Sequence, residues 1–150
     1  MQNHKILKAK KTDYDSLIIL WEASVNATHH FLTQRDIQQY KLLIYDYYFQ
    51  QLKIFFIKNE GNIAGFIGLK KDFIQMLFVA PGEMRKGIGH SLIEYAIKHR
   101  NAKSVDVNEQ NVNALRFYKK MGFEVADITE TDAVGKPYPV ISMELKNSLK

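Results

Sequence analysis

Gly87 and Gly89 stand one residue apart in the stretch LFVAPGEMRKGIGHSLIEYAIKHR, between an apolar run closed by Pro81 and a helix-like pattern that ends in positive charge. A helix begins with backbone N–H groups that lack partners, and its dipole places partial positive charge at that end. Residues without a Cβ let an anion such as a phosphate approach those amides, and Arg85 and Lys86 add charge beside them. An ordinary loop that needs glycine only for its backbone angles would read the same way. Two known phosphate motifs fail here. A dinucleotide site wants a third glycine where Leu92 stands, and a P-loop wants Gly-Lys followed by Ser or Thr.

Other reactive side chains narrow the chemistry. The chain has no cysteine, which excludes disulfides, thiolate metal sites and a covalent cysteine intermediate. His29 and His30 are adjacent and so poorly spaced to chelate one ion, and His90 and His99 lack evident carboxylate partners. No metal site is expected. The net charge of +5 suits an anionic partner, but the lysines are scattered, with KAKK at residues 8–11 the densest run. A solvated basic surface or a small anionic ligand is therefore expected ahead of nucleic acid. No apolar run approaches the roughly 18 residues of a membrane span, and MQNHKILKAKK has neither the apolar core nor the cleavage site of a signal peptide. A cytoplasmic protein with no membrane association is expected.

The elements that must position these groups follow from periodicity. With 150 residues, 46% of them hydrophobic, the chain should form a single domain over 1–150. A short strand at Lys5–Ala9 precedes a helix whose capping pair is Thr12 with Asp15, and Leu17, Leu20, Trp21, Ser24 and Val25 give it one apolar stripe. Thr33 and Asp36 repeat the capping pattern before a second helix carrying Ile37, Tyr40, Ile44, Tyr47 and Tyr48. Three strands, LKIFFIK, IAGFIGLK and FIQMLFV, are joined by NEGN and KD as hairpin turns. Helix, strand, helix and strand then alternate through residue 129, which argues for a parallel or mixed second half. A final hairpin pairs FEVADITET with YPVISMEL across DAVGKP.

The succession of strand, proline, basic loop, Gly-Ile-Gly and helix resembles the acetyl-CoA-binding motif of the GNAT superfamily of N-acetyltransferases. In that motif Arg or Gln is followed after two residues by Gly and, one residue on, by Gly or Ala. MRKGIG aligns with it, except that Met84 occupies the first position. NVNALRFYKKMGF, from Asn111 to Phe123, is similar to the family's second signature. SVNATHHFL, VNEQN and GKPYP narrow the resemblance to small bacterial members. The resemblance implies an α/β fold: a mixed, mostly antiparallel sheet of about seven strands, splayed at the fourth and fifth and flanked by four helices. It further implies acetyl transfer from acetyl-CoA directly to a primary amine of a small molecule or peptide, by a monomer or homodimer.

By the same resemblance, the amides of Arg85, Lys86, Gly87, Ile88, Gly89 and His90 would hold the pyrophosphate. Leu77, Phe78 and Val79 would lie along the pantetheine arm, and a backbone N–H there would face the thioester carbonyl. Asn111 would contact the pantetheine, although it is equally a natural helix N-cap. Tyr118 occupies the position that protonates the departing thiolate, and a phenol with a pKa of about 10 is protonated and able to do so at neutral pH. His29 borders the acceptor side and is the candidate base, with Asp106, Gln75 and Glu22 as weaker ones; it could also simply cap a helix. Trp21, Phe31, His29 and Tyr138 are the expected acceptor wall, although core packing explains Trp21 and Phe31 equally well. Two other readings stay open: a CoA-binding sensory module with little catalysis, which Met84 favours and Tyr118 opposes, and a basic nucleic-acid-binding domain.

Overall fold

The computed structural model describes residues 4–146. Seven strands form one sheet in the order β1-β2-β3-β4-β5-β7-β6. The meander is β2 (Lys53–Asn59), β3 (Asn62–Lys70) and β4 (Phe73–Val79), all antiparallel, with the short β1 (Leu7–Lys8) on the edge beside β2. Glu60 and Gly61 turn the first hairpin with φ of 52° and 83°, the left-handed pair that a two-residue connection between twisted strands requires. β5 (Ser104–Asn108) runs parallel to β4, and the hairpin of β6 (Phe123–Thr129) and β7 (Val140–Leu145) folds back so that β7 lies between β5 and β6.

Four consecutive residues of β2, Ile54, Phe55, Phe56 and Ile57, are buried because helices cover both faces of the sheet. Strand alternation sends Ile54, Phe56, Phe66 and Met76 into one core with α1 (Tyr14–Thr28) and α2 (Gln34–Leu43). Phe55, Ile57, Ile67 and Ile74 go into the other, with α4 (Ile88–Arg100) and α5 (Val112–Lys120). The α1 stripe is as expected: Leu17, Leu20, Trp21, Ser24 and Val25 are all buried. Its entry differs. A 3-10 turn at Lys11–Asp13 precedes the helix, and Asp13 rather than Asp15 supplies the cap, accepting from the Lys10 backbone N–H at 2.8 Å. Thr33 and Asp36 do form a capping box on α2, which then runs through a π-helical turn at Ile44–Tyr48 into the short α3 (Phe49–Gln51). That extra residue per turn rotates the helix, burying Ile44 and Phe49 and leaving Tyr47 exposed. The sheet with its four substantial helices matches the expected architecture. No helix among the described residues is long and apolar enough to cross a membrane.

One glycine outside the motif controls how α4 seats on the sheet. A Cβ at Gly65 of β3 would lie 2.7 Å from Ile88 Cγ2 and 3.2 Å from the Phe78 carbonyl oxygen. Ile88, the first residue of α4, is 2% exposed and fills that space. Gly65→Ala is expected to lower unfolding stability by about 1–3 kcal/mol, read as a reduced thermal midpoint, because one of those neighbours must move.

Candidate active site

The parallel pairing of β4 and β5 spans only Phe73↔Ser104 and Ile74↔Val105. Beyond Ile74 the strands diverge and open a cleft of about 800 Å³, which Gln75 to Val79 line on one side and Asp106 to Asn108 on the other. The Ala80 N–H donates to the Ala64 carbonyl, and the Phe78 carbonyl also faces β3. Backbone groups alternate sides along a strand, so those of Leu77 and Val79 point away from β3 into the cleft. Leu77, Phe78 and Val79 thus all border the cleft.

The mouth of this cleft is the start of α4. Gly87 is its N-cap, with φ 80°, and its carbonyl accepts the first helical bond from the Ser91 N–H at 3.0 Å. The amides of Ile88, Gly89 and His90 precede that first helical donor and so have no intrahelical acceptor. Arg85 also adopts a left-handed φ of 66°, an uncommon and costly state for a residue with a side chain. Unpartnered N–H groups at the positive end of a helix fit a phosphate. Gly87 needs its positive φ, whereas Gly89 has none, and a Cβ there would make only an ordinary contact with the Phe117 ring at 3.6 Å. Met84, Arg85, Gly87, Ile88, Gly89 and His90 all border the cleft. Lys86 does not: its Nζ reaches Glu83 at 3.3 Å, and the side chain lines a separate, polar concavity with Lys58 and Lys98.

α5 forms the far wall. Asn111 is its N-cap, with Oδ1 accepting from the Ala114 N–H at 3.2 Å, so the capping role holds. Tyr118 is 5% exposed, packs its ring edge-on against Phe117 and Phe123, and borders the cleft. Burial pushes its phenol well above the ordinary value, so it is fully protonated at neutral pH.

Across from α5, the end of α1 delivers His29. Its ring stacks on Phe31 at 5.4 Å and on Phe78 at 6.3 Å, and its Nε2 lies 3.5 Å from Asn111 Nδ2. Burial, with a smaller contribution from His30, lowers the imidazole pKa to about 4. Of the expected acceptor wall, Phe31 and Tyr138 pack together with tilted rings 5.7 Å apart and Phe31 reaches His29, but neither borders the cleft itself. The Tyr138 hydroxyl donates to Asp36, whose other oxygen meets Lys136 Nζ at 3.1 Å. Tyr40 donates to Asp132 in the same loop, so α2 holds the β6–β7 connection down. Trp21 is a correction. At 3% exposure it packs edge-on to Phe78 inside the α1 core and contributes nothing to the cleft, because its place in the stripe at i+4 from Leu17 points it inward. Among the weaker base candidates, Gln75 borders the cleft, Asp106 accepts from Ser142 at 2.8 Å, and Glu22 is held by Lys41 at 2.7 Å outside the cleft. Sequence reasoning missed Thr28, Asn108 and Phe117, which also border it. Phe117 was within reach, since it precedes Tyr118 in the second motif; Thr28 and Asn108 carried no separate signal.

The His29 shift has a measurable sign. In the folded chain the imidazole stays neutral down to about pH 4, whereas an unfolded chain takes up its proton below the ordinary 6.5. Stability should therefore rise with pH across this window, the unfolded state binding more protons. Chemical denaturation at a series of pH values is expected to show a loss on the order of 2–3 kcal/mol between pH 6.5 and 4 that is absent in His29→Gln.

Known proteins supply the remaining comparison. The family described as Acetyltransferase (GNAT) domain matches residues 20–146. The peptidyl-lysine N-acetyltransferase YjaB of Salmonella typhimurium is 33% identical over 138 residues, covering 92% of this chain and 95% of that protein. The solution structure of apo-form YjaB from Escherichia coli superposes with a TM-score of 0.86 at 30% identity, covering 95% and 97% of the two chains. The PaiA N-acetyltransferase of Thermoplasma acidophilum, solved in complex with coenzyme A, shares the fold at a TM-score of 0.73 and 21% identity, covering 94% and 98%. With the splayed sheet, the glycine-capped α4 and matches over nearly the whole length, this chain is a member of the GNAT family of acetyltransferases.

Proposed function

We propose that the chain transfers an acetyl group from acetyl-CoA directly to a primary amine, with a lysine side chain of a peptide or protein as the acceptor. The observation that carries this reading is the cleft itself: unpaired β4 backbone on one wall, Tyr118 on the other, and free helix amides at the mouth. A fully protonated phenol beside an exposed strand edge suits acyl transfer from a thioester better than passive binding. The lysine acceptor is supported by the name of the YjaB relative, a peptidyl-lysine N-acetyltransferase. The absence of cysteine makes transfer without a covalent thioester on the enzyme the simplest route.

Acetyl-CoA supplies an activated acyl carbon and a thiolate leaving group. The amides of Ile88, Gly89 and His90 would bind its pyrophosphate, and the free β4 groups of Leu77 and Val79 would hold the pantetheine as an added strand. Of these, a β4 N–H would stabilise negative charge developing on the carbonyl oxygen. The lysine ammonium first gives one proton to solvent; as the neutral amine nitrogen bonds to the acyl carbon and the C–S bond breaks, Tyr118 gives its proton to the sulfur and His29 Nε2 accepts the proton leaving the now cationic nitrogen. Burial that disfavours a phenolate disfavours a free thiolate in the same cleft too, so the raised Tyr118 pKa does not by itself oppose the transfer. His29 is neutral at working pH and needs no deprotonation first.

Thermal-shift measurements should show stabilisation by both CoA and acetyl-CoA, as any ligand of the native state must. No shift at millimolar cofactor would defeat the reading. In a thiol-release assay, Tyr118→Phe should lose about 100-fold in kcat while its acetyl-CoA affinity stays within twofold; unchanged turnover would remove Tyr118 as the acid. Lysine-bearing peptides should outpace polyamines and aminoglycosides as acceptors, and the reverse ranking would overturn the acceptor class.

A further inference from the structure

The hydrogen bonds around His29 determine which of its ring nitrogens carries the proton. The Thr28 hydroxyl lies 2.8 Å from the Ser24 carbonyl oxygen, which can only accept, so the single hydroxyl proton is committed there. His29 Nδ1 is 2.7 Å from the same hydroxyl oxygen. With its proton pointed at Ser24, that oxygen can only accept, and Nδ1 must therefore be the donor. The neutral imidazole then has its lone pair on Nε2. A second chain of bonds reaches the same assignment from α5. Asn111 Oδ1 is used by the Ala114 N–H, which turns the Asn111 NH2 group toward His29 Nε2. An NH2 group needs an acceptor opposite it.

We propose that Thr28 is a positioning residue that locks His29 in the Nδ1–H tautomer and aims the Nε2 lone pair into the cleft, where the acceptor amine must lose its proton. The proposal rests on the reading of His29 as the base. Thr28 touches no reacting atom and acts only through the imidazole. At 3.5 Å the Asn111 contact is long for a hydrogen bond, so an incoming N–H can replace it without a large loss. Phe31 following α1 and Phe78 from β4 pack against the ring at tilted angles and offer it no hydrogen bond, so the Thr28 and Asn111 contacts decide which nitrogen is protonated. His30 is the titratable neighbour that acts on the ring; Asn111 is the polar group facing it from α5.

Nitrogen-15 NMR of the histidine side chains in the full chain reads the tautomer directly, and His29→Gln assigns the His29 resonances. The wild type should show a protonated Nδ1 and an unprotonated Nε2. Thr28→Val, close to isosteric, should shift His29 toward the Nε2–H form and lower kcat about 10- to 100-fold, with acetyl-CoA affinity unchanged. Thr28→Ser, which restores the hydroxyl, should recover both the tautomer and most of the turnover, separating the bond from any loss of packing. An Nε2–H wild type, or a Thr28→Val protein with the tautomer unmoved, overturns the proposal. So does a shifted tautomer with unchanged kcat, provided His29→Gln is impaired. If His29→Gln turns over normally, it is the base assignment that falls, and the tautomer measurement alone decides the role of Thr28.

Discussion

Everything distinctive about this molecule depends on β4 and β5 ceasing to pair after two residues. A parallel ladder carried to the strand ends would satisfy the Leu77 and Val79 backbone groups and leave no cleft. Two features keep the strands apart. β5 pairs along its whole length with β7, from Ser104 to Asn108, which holds it on that side while its edge toward β4 is paired only at Ser104 and Val105. On the other side, Ile88 wedges over Gly65 and the Phe78 carbonyl, seating the start of α4 against β3 and β4 just where the gap opens. The unpaired strand edge would be an aggregation hazard on an exposed sheet. Here α4, α5 and the end of α1 enclose it.

The electrostatics of the cleft come from removing water more than from assembling charge. Tyr118 and His29 are shifted chiefly by burial, and both shifts favour the neutral form. The phenol keeps its proton and the imidazole lacks its second one, which are the states that the proposed acid and the proposed base need at neutral pH. At the mouth Arg85 accompanies the unpartnered helix amides, while Asp106, Arg116 and Lys120 border the cleft along β5 and α5.

The contacts beyond His29 are built by economy. Asp36 closes the N-terminus of α2 through Thr33 and also accepts from Tyr138, which holds its carboxyl down to about 2. One carboxylate thereby ties a helix start to a loop 102 residues away. Tyr138 leans on Phe31, and Phe31 on His29, so the orientation of the imidazole is connected to the anchoring of the β6–β7 loop. This also explains why a tyrosine between two prolines is found there: the prolines stiffen the chain while the ring and hydroxyl reach α2.

Local rules carried far in this chain. Alternating apolar residues, glycine turns and the Thr33–Asp36 box placed the meander, the last hairpin and the main helices from sequence, since each depends on neighbours a few residues away. The Gly-Ile-Gly loop marked the start of α4 for the same reason, whereas Tyr118 stood out only through the likeness of NVNALRFYKKMGF to the family signature. Trp21 shows the limit: its position in an apolar stripe made it core, yet proximity in sequence to His29 suggested a wall. Only the packed structure separated the two, because burial depends on what lies opposite. The meeting of His29 with Asn111, of Tyr138 with Asp36 and of Gly65 with Ile88 could not be read from the chain, as each joins segments far apart in sequence. The sequence by itself determined which groups could do chemistry; the tertiary fold decided which face each other and how much water reaches them, and that sets their protonation.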